Sequence, residues 1–242
     1  GMSEMYSATL NGRGKGLKLI AYLFAAGYYI LIPWFWTNFF LAFVTVFIVA
    51  MLTALVISHK NTAFEDCASV ILGFFHIAFL LSFIYMTRQY FYGAYAVWLI
   101  FIAAWGCDTF AFFAGKCFGK RKLAPELSPN KTVEGAIGGV IGAAALAAAY
   151  GLAVSRLFTL SESELHIVLL CTIVGAVGAV FAQFGDLAAS AVKRAAGKKD
   201  YGKLLPGHGG VIDRFDSVLF TAPVVYMVMY MIFEFYRRWG SI

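Results

Sequence analysis

The sequence predicts an all-α fold: a polytopic integral membrane protein of about seven transmembrane helices with a polar site facing the cytoplasm. Three observations predict it. Of 242 residues, 61% are hydrophobic and 13% charged, with a mean hydropathy of +0.78, far from the balance of a soluble domain. Seven apolar runs each approach the roughly 20 residues that a helix needs to cross about 30 Å of hydrocarbon. With the N-terminus placed inside, 15 of the 19 Lys and Arg residues fall on one face, which the positive-inside rule reads as cytoplasmic.

In chain order, residues 1–16 form a cytoplasmic N-terminal segment whose opening Gly1-Met2 reads as a tag remnant. Transmembrane helices then fill 17–114, as apolar runs at 17–36, 38–58, 69–86 and 93–114. Aromatic groups at their ends, such as Trp34, Phe35 and Trp36 or Tyr90, Phe91 and Tyr92, are expected at headgroup level. Region 115–242 carries the remaining runs, 135–154, 166–185 and 217–236, and two cytoplasmic polar segments, 115–134 and 185–216. The stretch GAIGGVIGAAALAAAYG (135–151) sets Gly135, Gly138, Gly139 and Gly142 where helices can approach closely, so tight packing is its expected role. Cys67, Cys107, Cys117 and Cys171 lack CxxC spacing and are expected to be small buried apolar residues without chemistry.

Chemistry is expected in the polar segments. Residues 193–216, KRAAGKKDYGKLLPGHGGVIDRFD, gather six Lys or Arg, three Asp, one His and five Gly into 24 residues. Asp213 and Asp216 are three apart and share a helical face, and Asp186 ends an apolar span where an uncompensated carboxylate is costly. Three acids at a membrane boundary point to a divalent cation such as Mg²⁺, which takes hard oxygen ligands and substrate phosphate. Pairing with Lys193, Arg194 or Arg214 would account for one or two of them only. The cations Lys193, Arg194, Lys198, Lys199, Lys203 and Arg214 exceed what the acids need, and the glycines of PGHGG permit turns whose N–H groups can cradle an anion. A phosphate site fits both features. A plain orientation signal or anionic-lipid contact is the alternative, against which the interleaved Asp and Gly weigh.

The other polar stretch, AGKCFGKRKLAPELSPNKTVEGAIGG (114–139), repeats the pattern. Ser128, Asn130, Lys131, Thr132 and Glu134 lead into the next span, whose first N–H groups would face an anion, although an N-cap is the commoner role for Ser128 or Thr132. Asp108 lies within an apolar run and is a functional candidate by that position.

The stretch SAVKRAAGKKDYGKLLPGHGGVIDRFD (190–216) closely resembles the signature of the phosphatidate cytidylyltransferases, or CDP-diacylglycerol synthases. Two residues separate Ser190 from Lys-Arg, four more separate that pair from Lys-Asp, and the HGG-x-x-DR-x-D close follows. Residues 107–139 are similar to the other stretch typical of that family, and the resemblance runs from Asp108 to Pro223. This chain departs from it in carrying Ala188 and Ala189 after Gly-Asp-Leu, in reading Asp108-Thr109-Phe110 for Asp-Thr-Gly, and in a short region before Leu17.

The resemblance implies transfer of CMP from CTP to phosphatidic acid, giving CDP-diacylglycerol and pyrophosphate in phospholipid biosynthesis. It also implies dependence on Mg²⁺, with a second metal ion allowed. Asp186, Asp213 and Asp216 are the expected metal ligands, with Asp108 as a further member. Lys193, Arg214 and His208 join the acids as expected catalytic residues. Lys131, Arg194, Lys199 and Lys203 are expected to hold phosphates, and Ser128, Asn130, Thr132, Glu134, Asp200, Gly209 and Gly210 to shape the substrate site. His208 could donate a proton to pyrophosphate or simply bridge the turn. Bottom-up chemistry agrees, because the lipid phosphate is already a nucleophile and the difficulty lies in bringing two anions together.

Two other classes are weighed against this. A transporter would bury its polar residues near the midplane, whereas these cluster on one face. An inert scaffold needs neither the Asp pair nor PGHGG. Another lipid phosphate as acceptor stays open. The partners expected are CTP, phosphatidic acid and membrane lipid, with no nucleic acid and with a homodimer allowed. The expected location is the bacterial inner (plasma) membrane, active site toward the cytoplasm.

Overall fold

Backbone N–H and C=O groups in hydrocarbon must be satisfied within their own segment, so apolar runs of this length close into helices. The computed structural model describes residues 1–10, 12–34, 37–90, 92–157, 164–202 and 209–239. Among them are seven helical stretches long and apolar enough to cross a membrane: Lys15–Trp34, Phe39–Ile57, Phe64–Gln89, Gly93–Phe118, Val133–Leu157, Glu164–Ala195 and Ile212–Ile232. The protein is a polytopic, all-α membrane protein, with one short hairpin added.

The chain forms two compact units, Gly1–Ser82 with Ala196–Asp213, and Phe83–Ala195 with Arg214–Ile242. In the first, the N-terminal segment folds as helix α1 (Met2–Thr9), which buries Met5, Tyr6 and Ala8. The Tyr6 hydroxyl donates to the Val70 carbonyl at 2.9 Å, and burial lifts its pKa above the ordinary tyrosine value. Helices α2 (Lys15–Leu31), α3 (Thr37–Ile57) and α4 (Phe64–Gly73) follow, and a π-turn (Phe74–Phe79) joins α4 to α5 (Leu80–Gln89). Tyr28 is their aromatic centre, with its ring beside Phe43, Phe74 and Phe79 and its hydroxyl 2.8 Å from Ser82 Oγ.

The second unit is built on the greater part of α5, from Phe83 on, and on α6 (Gly93–Phe118), α7 (Val133–Leu157), α8 (Glu164–Ala195) and nearly all of α9 (Ile212–Trp239). Between α6 and α7 the first polar segment forms an antiparallel hairpin, β1 (Lys122–Ala124) with β2 (Ser128–Thr132). The expected end of the sixth span, residue 185, falls ten residues short. The following residues are mostly good helix formers without proline, so α8 continues to Ala195, and Gly197 at φ +66° stands two residues past its end. Asp186, Lys193 and Arg194 therefore ride on a helix rather than in a loop.

The glycine stripe packs α7 against α6, as its small residues predict. A Cβ at Gly138 would lie 2.3 Å from Ala114 Cβ, and one at Gly142 only 2.1 Å from Phe110 Cγ. Phe110, one of the departures from the resemblance, is thus matched by a glycine on the facing helix. Gly142→Ala is expected to lower the melting temperature in detergent, by the equivalent of about 1–3 kcal/mol for an overpacked site. Adding Phe110→Ala should recover much of that loss. If the double variant melts as low as the sum of the two singles, the two residues do not compensate each other.

Candidate active site

In the second unit, polar groups converge where the hairpin meets α6, α7 and α8. Thr132 closes β2 and caps α7, its Oγ1 accepting from Gly135 N at 3.1 Å. Glu134 reaches back and accepts from Lys120 N at 2.9 Å and from Arg121 N at 3.2 and 3.3 Å. Both residues hold the hairpin in place, and the strand then carries Lys131 to an ion pair with Asp186 Oδ2. Ser190, one turn on along α8, lies 3.5 Å from Asp186 Oδ1.

Two more carboxylates stand close by. Asp108 on α6 accepts from Ser217 Oγ at 3.0 Å, and the neighbouring Asp216 is 8% exposed, with its Oδ1 accepting from Ser217 N at 2.8 Å. Asp216 is within electrostatic reach of Asp186 and Asp108, which repel it, and of Lys193, which attracts it. A glycine makes this approach of α8 and α9 feasible: a Cβ at Gly185 would sit 2.6 Å from the Asp216 carbonyl oxygen. Gln183, on the same stretch of α8, donates through Nε2 to Ala136 O at 3.0 Å and Cys107 Sγ at 3.4 Å, tying three helices together.

Beside them is a cleft of about 420 Å³, with Asp108, Lys116, Asn130, Lys131, Thr132, Gln183 and Asp186 as its polar wall. An apolar groove of about 430 Å³ shares Leu123, Ala136 and Gln183 with it and continues along Ile137, Ile141, Val180 and Phe184. Ser128 pairs with Ala124 in the hairpin, and Arg194 and Arg214 are exposed.

The other expected residues belong to the first unit or lie outside the described residues. Lys199 and Asp200 are exposed. Asp213 uses Oδ2 to accept from Tyr201 N and Gly210 N, each at 3.0 Å. Val211 N and Ile212 N donate to the Glu4 carboxylate at 2.9 and 3.1 Å. The N–H groups after PGHGG, which the glycines suggested for an anion, are met here by two carboxylates of the protein itself. Lys203 and His208 lie outside the described residues. Among those described, no three His, Cys, Asp or Glu groups are placed to hold a metal by themselves.

Sequence reasoning passed over Gln183, Lys116, Ser217 and Glu4. Helical spacing was the available signal for one of them: Gln183 is one turn before Asp186. Residues 2–232 match the cytidylyltransferase family. The chain belongs to that family. This cytidylyltransferase is similar to the phosphatidate cytidylyltransferase of Bacillus subtilis strain 168, with 37% identity over 77% of the chain and 67% of the relative. It is also similar to the enzymes of that name from Thermotoga maritima, at 38% over 69% and 61%, and Staphylococcus saprophyticus, at 35% over 75% and 66%. The chain thus spans about two thirds, or less, of the length of these curated relatives.

Proposed function

We propose that this cytidylyltransferase is a phosphatidate cytidylyltransferase that forms CDP-diacylglycerol and pyrophosphate from CTP and phosphatidate. The observation that carries the reading is the joining of a charged cleft to an apolar groove. One substrate has anionic phosphate and the other end of the same molecule is acyl chain, and the shared wall of Leu123, Ala136 and Gln183 gives both parts a continuous surface. The names of the relatives supply the nucleotide and the acceptor.

A phosphate oxygen of phosphatidate attacks the α-phosphorus of CTP. The new P–O bond forms as the α–β anhydride bond breaks, and its electron pair leaves with pyrophosphate. No proton need be removed from the nucleophile, so the protein's task is placement and charge. Lys131 and Lys116 face the cleft as the cations available to phosphate oxygens. Asp108, Asp186 and Asp216 crowd negative charge that a hard cation relieves, and this all-oxygen set fits Mg²⁺ held by Asp186 and Asp216 and completed by substrate phosphate. Bound there, Mg²⁺ would neutralise charge on the triphosphate as the anhydride breaks.

The reading is tested by incubating purified protein in detergent with CTP, Mg²⁺ and phosphatidate and identifying the products by mass. Equal amounts of CDP-diacylglycerol and pyrophosphate are expected. Faster turnover of a different lipid phosphate would change the acceptor, and no lipid nucleotide from any acceptor would overturn the reaction.

We also place the site on the cytoplasmic side, from the one-sided distribution of Lys and Arg. Cys117, unlike the other three cysteines, is exposed rather than buried as expected, so the test needs a background without native cysteines. Single cysteines replacing Lys122 and Lys203 should then react with an impermeant reagent from the cytoplasmic side only. Labelling of one from each side would exclude a common site for the two polar segments.

A further inference from the structure

Helix α9 begins at Ile212 and carries the DRFD sequence, yet the residue at its cap position, Val211, has no side-chain acceptor. Its leading N–H groups would be left without partners. The partner comes from the far end of the chain. Glu4 Oε1 accepts from Val211 N at 2.9 Å and Glu4 Oε2 from Ile212 N at 3.1 Å, both charge-assisted and both at the positive end of the helix dipole.

The surroundings are shaped to admit this carboxylate. A Cβ at Gly210 would lie 2.9 Å from Glu4 Oε1, and one at Gly202 would lie 3.1 Å from the same atom. Larger residues on either side would push it away. Glu4 is also delivered by a seated element: Met5, Tyr6 and Ala8 of α1 are buried, Tyr6 is hydrogen-bonded to Val70, and Ser7 O accepts from Lys198 Nζ at 2.9 Å. Next to it, Asp213 takes Tyr201 N and Gly210 N, so two carboxylates between them hold the three consecutive N–H groups of Gly210, Val211 and Ile212, and that of Tyr201 as well.

We propose that Glu4 is a positioning residue for the transfer reaction: it fixes the 209–213 turn of the polar segment and, through it, the start of α9, the helix that carries Asp216. Two of the segment's glycines are there to make room for this clamp. The role in turnover rests on the reaction proposed above, whereas the clamp itself does not. Asp216 is the carboxylate proposed above to act with Mg²⁺ on the triphosphate, so a loosened start to α9 should be felt by CTP rather than by the lipid.

The test uses the full chain in detergent and the variants Glu4→Gln, Glu4→Asp and Gly202→Ala. Glu4→Gln keeps the shape but turns an NH₂ group toward one of the two N–H donors. Hydrogen exchange at Val211 and Ile212 should quicken at least tenfold in it, with the α1 amides unchanged. The KM for CTP should rise fivefold or more and that for phosphatidate stay within twofold of the parent's, and Glu4→Asp should restore part of the CTP value. Gly202→Ala presses on Oε1 without altering either partner, so it should repeat the pattern and decide the matter if Glu4→Gln fails to fold.

Parental exchange at Val211 and Ile212 in well-folded variants would overturn the clamp. Faster exchange with parental KM for CTP would overturn the positioning role and leave Glu4 a cap for stability alone. A parent without turnover is a failure of the reaction, and the exchange measurement separates it from a failure of the clamp.

Discussion

Asp216→Asn is expected to reduce turnover by roughly two to three powers of ten, the scale of losing a contact that stabilises transition-state charge. It should leave the melting temperature at or above the parent's. Asp216 is a buried carboxylate with two other carboxylates in reach and Lys193 as the attractive charge among the groups acting on it. Burial penalises its charge and both acidic neighbours repel it, so a neutral amide relieves the folded state. The backbone bond survives, since an Asn Oδ1 can still accept from Ser217 N. A group kept at a cost to stability is kept for use, which is the pattern of a functional site. Activity per folded molecule and thermal melting, measured together, decide the matter. Near-parental turnover in the presence of a chelator would remove Asp216 from the metal site, and a loss of activity that merely tracks loss of folded protein would make it structural.

Much of this arrangement was legible in the sequence because hydrocarbon leaves few choices. Apolar length gave the helices, and the small residues at Gly138 and Gly142 gave close packing, although not its partner, which the structure identifies as α6 through Ala114 and Phe110. Asp186 and Lys131 could be named separately from their charge at a membrane edge. Their pairing could not be, because it depends on the hairpin placing β2 beside α8, and a strand of five residues rich in polar groups leaves no hydrophobic alternation to read. Helix continuation past residue 185 was missed because polarity was read as a loop, although the residues there favour helix. Glu4 lay wholly out of reach of local reasoning: its partners are 207 and 208 residues away. The glycines of the polar segment were noticed for what they allow the backbone to do. Gly202 and Gly210 matter also for the side chain they leave space for.

Lys131→Ala is expected to lower turnover by about two powers of ten, by removing a cation from developing phosphate charge. It should also make the substrate-free protein more responsive to Mg²⁺. In the structure the Lys131 ammonium is the counter-ion of Asp186, so a metal seeking that carboxylate must share or displace it. Without Lys131, Asp186 faces Asp108 and Asp216 with less compensation, and a hard cation becomes the remedy. The pair is only partly buried, at 25% and 24% side-chain exposure, so its loss should cost about 1 kcal/mol rather than the larger penalty of a fully buried pair. Adding Asp186→Asn removes the orphaned charge and should return the melting temperature close to the parent's, while turnover stays at least as low as in either single variant. The measurement is a double-mutant cycle of melting temperature across a Mg²⁺ titration, with activity alongside. If Mg²⁺ raises the melting temperature of Lys131→Ala no more than that of the parent, Asp186 is not a metal ligand. If the two substitutions add without coupling, the ion pair contributes nothing to the fold, and the role of Lys131 rests on phosphate binding alone.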